Sequence, residues 1–441
     1  MGVFTGGGLF GALNNSVGFA SGSVVRLSIG FFTWLAAARL YPASQVGMAA
    51  SAISAMLLCV EVGVLGSDVA LIAAFPRFRS SPTVLLNTAI TLAAITACTG
   101  GLIVIGLGAV GLRALHFLVA HPADAVAFLL LVLFQAGWWL MDQAAIALRR
   151  SDHVPVRAFV AATVTLTGVL ALGAIGYDTA GSVLVAWAAA ALIACLIGLV
   201  QISRAIGGYR FRFSLPSPLR RDLVRVGLPN SLVTAADIAP GLVLPIVAAQ
   251  QLSPRYAAYW YTVWMMSFAA YSIPWSFGLH LFAELADSPA ELARRGARTL
   301  RSGLAIAGIA IVGVLVLGPT VLSILGPAYR AHGSTALRIA VLAAIPMVVM
   351  KAYLFTCRAT GRLREGTIVA TVTGITAVTL AIVLAPSLGL PGIAIAWLGV
   401  QTAGALVAAA RLRSFVSAPQ TIDGVAVPLP REPTPEPTVA R

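Results

Sequence analysis

Seven ionisable side chains interrupt long apolar stretches of this sequence: Arg26, Glu61, Asp68, Asp142, Asp237, Arg338 and Lys351. In lipid, a lone charge near the middle of a helix costs about 3 kcal/mol even on the mildest insertion scale. Such residues therefore pair, line a polar cavity, or reach back to the interface. The chemistry they offer is the binding of ions and anions and the carriage of protons.

Arg26 sits in "SGSVVRLSIG" with no acid beside it. A guanidinium can hold two phosphate oxygens in a fork, so an anion contact is one role. An ion pair with Glu61 or Asp68 and a snorkelling side chain are the others. Asp237 follows Asn230, Ser231 and Thr234 and precedes Pro240 and Gly241. Helices interrupted by such residues expose backbone groups to a ligand, so Asn230 and Asp237 are candidate binding residues. Asp237 suits a proton or sodium carrier, and equally a counter-ion for Arg26.

Glu61 and Asp68 are seven residues apart, two turns, and are expected on one face of one helix. Asp142 and Lys351 each precede an arginine, Arg149 or Arg358, by seven residues. That matching offset suggests equivalent positions in two similar halves and an opposite-charge gate on the cytoplasmic side. Trp138, beside Trp139, is a candidate sugar-stacking surface as well as a packing residue. Arg338 lies near the end of its stretch and suits snorkelling. Tyr256, Tyr259, Trp260 and Tyr261 read as an interfacial aromatic belt.

Enzymatic chemistry finds little support. The five histidines and four cysteines show no metal-ligand spacing, and there is no phosphate-binding glycine loop. Neither a metal nor another cofactor is expected.

The elements that must carry these residues follow from composition. Hydrophobic residues make up 59% of the 441, charged residues 10%, and mean hydropathy is +0.93. Ordinary globular domains are roughly 25% charged, so this chain belongs in a bilayer. A span needs about 20 apolar residues. Twelve stretches qualify: 16–38, 47–74, 84–112, 123–148, 156–176, 181–203, 226–250, 256–281, 302–325, 335–357, 366–386 and 390–412. Their length excludes a β-barrel. The first stretch is too long, and lacks the basic flank, for a cleaved signal peptide.

Arginines concentrate on one side of this pattern: Arg77 and Arg79; Arg149, Arg150 and Arg157; the run "RAIGGYRFRFSLPSPLRRDLVR"; Arg294, Arg295, Arg298 and Arg301; and Arg358, Arg362 and Arg364. The positive-inside rule then puts both termini in the cytoplasm. The net charge of +14 is a topology signal spread over short loops, unlike a nucleic-acid footprint. The basic run also suits contact with anionic lipid headgroups.

The organisation expected is all-α: a six-helix bundle over 1–203, a basic linker over 204–225, a second six-helix bundle over 226–414, and a disordered Pro-rich tail over 415–441. Both halves start on the same side, so a repeat between them must be parallel. The matching exits "ARLYPASQVG" and "QQLSPRYAAY", and "MDQAAIALRR" and "MKAYLFTCRA", support one.

Four segments also carry a resemblance: "TWLAAARLYPASQVGM" (33–48), "SPRYAAYWYTVWMMSFAAYSIPWSFGLHLFAELA" (253–286), "ILGPAYRAHGSTALRIAVLA" (324–343) with "RATGRLREG" (358–366), and "WWLMDQAAIALRR" (138–150). Over residues 10–415 the chain resembles the polysaccharide-biosynthesis flippases of the multidrug/oligosaccharidyl-lipid/polysaccharide (MOP) exporter superfamily. The resemblance implies a MATE-like fold in a bacterial cytoplasmic membrane and alternating-access movement of a polyprenyl-diphosphate-linked oligosaccharide. Membrane lipids and polysaccharide assembly proteins are the partners it implies, and coupling to a proton or sodium gradient is within its range. The same fold includes cation-coupled exporters of small organic solutes. Arg26 favours the diphosphate and Asp237 the cation; the sequence leaves them balanced.

Overall fold

The structure, a computed structural model, describes residues 29–78, 81–287 and 292–417; at 73, 77, 275–299 and 413–417 it describes the backbone alone. Arg26 and the tail from 418 lie outside the described residues. All regular structure among the described residues is helical. In chain order the helices are α1 (Ile29–Leu40), α2 (Ala43–Gly63), α3 (Ser67–Ala74), α4 (Pro82–Val110), α5 (Phe117–Ala120), α6 (Pro122–Ala147), α7 (His153–Ala174) and α8 (Ala180–Ile206). They continue with α9 (Ser217–Gln251), α10 (Pro254–Asp287), α11 (Leu292–Leu325), α12 (Pro327–Leu342), α13 (Ala344–Ala359), α14 (Leu363–Leu388) and α15 (Leu390–Ser417). Prolines open α4, α6, α10 and α12, where a missing N–H costs no helical bond.

Nine described helices are long and apolar enough to cross a bilayer, and ten if α12 and α13 count as one span bent by 41°. Of the other two expected stretches, the first is described only from Ile29. The second is α10, which is long enough, but its tyrosines, tryptophans and serines lower its hydropathy. Bulky apolar residues stand exposed along the outer faces of α11 and α14, among them Ile309, Val316, Val372 and Ile375. Such faces need lipid against them.

Successive helices run back and forth through short loops, so their ends fall on two faces. One face, here the linker face, holds the α2–α3 junction, the 207–216 segment and the end of α13. Helices α4–α8 pack chiefly within the first half and α11–α15 within the second, and the two halves meet where α2 lies against α9 and α10 and α3 against α9.

Three expectations change at this level. Glu61 and Asp68 do not share a continuous helix, because the chain breaks between them. Leu65 and Gly66 both adopt positive φ (49° and 72°), which ends α2 and restarts the chain as α3. Asp237 lies in an unbroken helix: α9 runs 35 residues through Pro229, Pro240 and Pro245. Each proline still removes one backbone donor, leaving the carbonyl four residues earlier without its ladder bond. The carbonyl of Ala236, next to Asp237, is one of these, and Gly374 of α14 packs against it and Pro240. Tyr259 and Trp260 are buried in the core, so the expected aromatic belt is an internal cluster. Tyr259 stacks on His332 of α12 with centroids 5.3 Å apart.

Candidate functional site

The halves touch closely at both faces. On the linker face, Gly66 and Gly227 meet backbone to backbone: a Cβ added to Gly66 would lie 2.2 Å from the Gly227 carbonyl. Toward the opposite face, a Cβ on Gly47 of α2 would lie 1.7 Å from the carbonyl oxygen of Pro254, at the start of α10. Polar links join the same end. The Arg39 guanidinium donates to the Ile324 carbonyl at the end of α11, through Nε at 2.9 Å. Gln250 of α9 accepts from the Arg113 N–H at 2.9 Å and donates to the Gly111 carbonyl at 3.3 Å. Between these ends, Trp34 of α1 packs on Tyr261 of α10 with centroids 4.5 Å apart.

Two buried ion pairs lie within the bundle, one in each half. In the first half, Asp142 of α6 is bridged to Arg157 of α7, Nη2 to Oδ1 at 2.7 Å with Nε at 3.1 Å. Arg157 also donates to the Met141 carbonyl at 3.0 Å and to Gln201 at 2.5 Å. Its side chain is wholly buried, and these contacts occupy four of the five guanidinium N–H donors. In the second half, Lys351 of α13 is bridged to Asp237 of α9, with both side chains at least nine-tenths buried. Asp142 and Lys351, expected to face each other as a gate, thus each hold a partner inside their own half. Asp237, a candidate counter-ion for Arg26, has a lysine at hand.

The remaining charges converge across the interface. Arg358, at the end of α13, donates from Nη2 to the Thr234 hydroxyl of α9 at 2.8 Å, and its guanidinium lies 5.1 Å from the Phe355 ring centroid. The Thr234 hydroxyl donates in turn to the Asn230 carbonyl at 3.2 Å. Asn230, half-buried, therefore contributes its backbone to this arrangement. Glu61, near the end of α2, lies within electrostatic range of Arg358 and Asp237 from the other half and of Asp68 from its own. The helix break thus leaves Glu61 and Asp68 within electrostatic range of each other. Asp68 accepts a hydrogen bond from the Trp139 indole at 3.4 Å. Trp138 is buried in the core, and its Nε1 has no hydrogen-bond partner. A buried side chain packed on all sides makes a poor sugar-stacking platform.

Reading the sequence missed Arg157 and Arg358 as site residues, counting both among the loop arginines. The signal for Arg358 was present, since it follows Lys351 by seven residues and so shares its helix face. Arg157 offered less: it stands one turn inside α7, in "HVPVRAFVAATV", where loop and helix look alike. Among the described residues no group of three or more His, Cys, Asp or Glu could hold a metal ion.

No protein-family model and no curated protein matches the sequence. Solved structures do. An inward-facing multidrug resistance MATE family transporter of the MOP superfamily shares 15% identity at a TM-score of 0.66, over 90% of this chain and 99% of its own. A MOP superfamily transporter from Pyrococcus furiosus, described by the reverse polarity of its binding pocket, shares 14% at 0.65, over 92% and 95%. The lipid II flippase MurJ, in an inward closed conformation, shares 12% at 0.71, over 90% and 87%. At such identities the likeness is one of fold. The chain has the polytopic, all-helical fold of the MOP-superfamily transporters.

Proposed function

We propose that this protein is an alternating-access transporter of twelve spans in two six-helix halves, 1–203 and 226–414, joined by the linker 204–225. Its cargo on this reading is small organic solutes, exported across a bacterial cytoplasmic membrane at the expense of a proton or sodium gradient. What carries the reading is the electrostatic coupling of Glu61 to Arg358 and Asp237, which belong to the opposite half. A ligand shifts a two-state equilibrium only by its differential affinity for the two states. When the halves part at the linker face, Glu61 keeps Asp68 but loses Arg358 and Asp237, so its affinity for a cation must change. That difference is the coupling.

Formal charges point the same way. Glu61, Asp68 and Asp237 stand against Lys351 and Arg358, which leaves one negative charge for a monovalent cation to cancel. The Asp142–Arg157 pair is neutral and anchors the first half. Asp142 and Lys351 act here as structural counter-ions, and Asn230 and Thr234 hold Arg358 in place for Glu61.

The test is transport in proteoliposomes. Efflux of a cationic dye should follow an imposed inward proton or sodium gradient, and Glu61→Gln should uncouple efflux from that gradient. Efflux that ignores both gradients would remove the reading.

A second reading is the flipping of a polyprenyl-diphosphate-linked oligosaccharide, with Arg26 as the forked diphosphate contact and polysaccharide assembly proteins as partners. The TM-score of 0.71 with the lipid II flippase favours it. In the same vesicles, a fluorescent polyprenyl diphosphate glycan would change leaflet, Arg26→Ala would abolish this, and Arg26→Lys would keep part of it. The dye would stay put.

A further inference from the structure

The segment "YRFRF", residues 209–213, joins α8 to α9 without helical structure and alternates aromatic with basic residues. In an extended chain alternate side chains share a side, so Tyr209, Phe211 and Phe213 form one row and Arg210 and Arg212 the other. The aromatic row begins inside the protein. Tyr209 is 5% exposed, and its hydroxyl donates to the Asn87 side chain of α4 at 2.8 Å. Asn87 returns a bond from Nδ2 to the Arg210 carbonyl at 3.3 Å, and the Ser214 N–H donates to the Thr91 hydroxyl at 3.3 Å.

From that anchorage the row runs outward. Phe211 is 37% exposed and Phe213 80%, their rings edge to face at 5.2 Å. Three bonds to α4 thus hold in place a segment on which Phe211 is partly and Phe213 almost wholly uncovered by protein. The segment bridges the ends of two membrane-spanning helices, so a bilayer surface passes at its level. Residues 204–225 carry six arginines against one carboxylate, Asp222, and all seven side chains are exposed.

We propose that the 207–216 segment is a lipid-binding surface, with Phe211 and Phe213 inserted at the boundary of headgroups and acyl chains and the arginines on anionic headgroups. Neither an apolar insertion nor a basic patch alone holds firmly, whereas two such signals together do. Basic clusters beside spanning helices are drawn to anionic leaflets, and salt weakens the attraction. Because the segment is bonded to α4, lipid held there fixes the end of the first half at the headgroup level, while α9 begins only after Pro216. This surface is independent of the cargo proposed above.

The experiment places a nitroxide at residue 213, as Phe213→Cys, with the four native cysteines replaced, and measures its accessibility to oxygen and to a water-soluble nickel chelate. In bilayers rich in phosphatidylglycerol the label should be open to oxygen and shielded from nickel. In purely zwitterionic bilayers it should move toward the aqueous phase, and Arg210→Gln with Arg212→Gln should produce the same shift in the anionic bilayer. A label open to nickel in both bilayers overturns the proposal. One shielded equally in both overturns the role of the arginines and with it the surface as stated. Should the labelled protein fail to fold, unfolding of the native chain in nanodiscs gives the same decision. Anionic lipid should raise the transition temperature and salt should remove the gain; a transition blind to lipid charge contradicts the proposal.

Discussion

Two buried ion pairs dominate the residue scale, and they carry different consequences. Asp142–Arg157 is enclosed in one half, with Gln201 and the Met141 carbonyl completing the shell of the guanidinium. Removing one member leaves a buried charge alone, a loss of about 3–5 kcal/mol. Arg157→Leu should accordingly lower the unfolding temperature in detergent sharply, and Asp142→Leu with Arg157→Met should recover most of it, since exchanging a buried pair for apolar residues is often neutral. Equal damage from the single and double variants would mean the pair is not a self-contained unit. Lys351–Asp237 sits beside the interface residues Arg358 and Thr234. Lys351→Met strands the buried Asp237 carboxylate and should therefore lower stability as well as transport, with Asp237→Asn on the same background recovering most of the stability but not the transport. Proteoliposome flux alongside thermal unfolding measures both. The sequence made these acids and the lysine visible because a charge in an apolar run is conspicuous. It concealed their partners because which arginine folds inward depends on how neighbouring helices pack, as Arg157 shows.

Glycines at close approaches and a broken helix decide the arrangement of the elements. Gly66 has φ of 72° and faces Gly227 across the interface, so a side chain there meets both backbone strain and a clash. Gly227→Ala, in helical backbone, should separate the halves on the linker face without straining its own chain. A cysteine at Val62, beside Glu61, should then react faster with a water-soluble maleimide than in the parent; an unchanged rate would show that the glycine contact does not hold this face. Most helices were legible from length and hydropathy, and α4, α6, α7, α8 and α14 lie within about three residues of the expected stretches. By contrast, α9, α11 and α12 begin well before theirs, in polar or basic sequence that hydropathy does not read as helix. The α2–α3 break was not, since "EVGVLGSD" reads as more of the same apolar helix and the positive φ at Leu65 is imposed by tertiary contact. Gly63 gives a reason. It packs against Ala97, where a Cβ would lie 2.5 Å from the Ala97 Cα, and its carbonyl accepts from the Thr96 hydroxyl. The α9 prolines misled in the opposite sense, because packing against α14 and Trp264 holds the helix together.

Across the whole molecule, two helical halves meet along α2 against α9 and α10 and α3 against α9, with polar links at the far face and a glycine contact at the linker face. Few of these links are strong. Arg39 and Gln250 make hydrogen bonds at exposed positions; a neutral bond of this kind is worth only about 0.5–1.5 kcal/mol net and a charged one about 1.5–3 kcal/mol. Since 1.4 kcal/mol changes a population ratio tenfold, a single cation at Glu61 has enough leverage to choose which face is closed. The measurement that tests this most directly is double electron–electron resonance on two spin-label pairs, Arg150→Cys with Ala359→Cys on the linker face and Ala123→Cys with Ala331→Cys on the opposite face, across a range of pH and sodium concentration. Alternation controlled at Glu61 predicts that one distance lengthens as the other shortens, and that Glu61→Gln holds both distances fixed across the series. Distances that do not change, that move together, or that respond to cation as before in Glu61→Gln would contradict it.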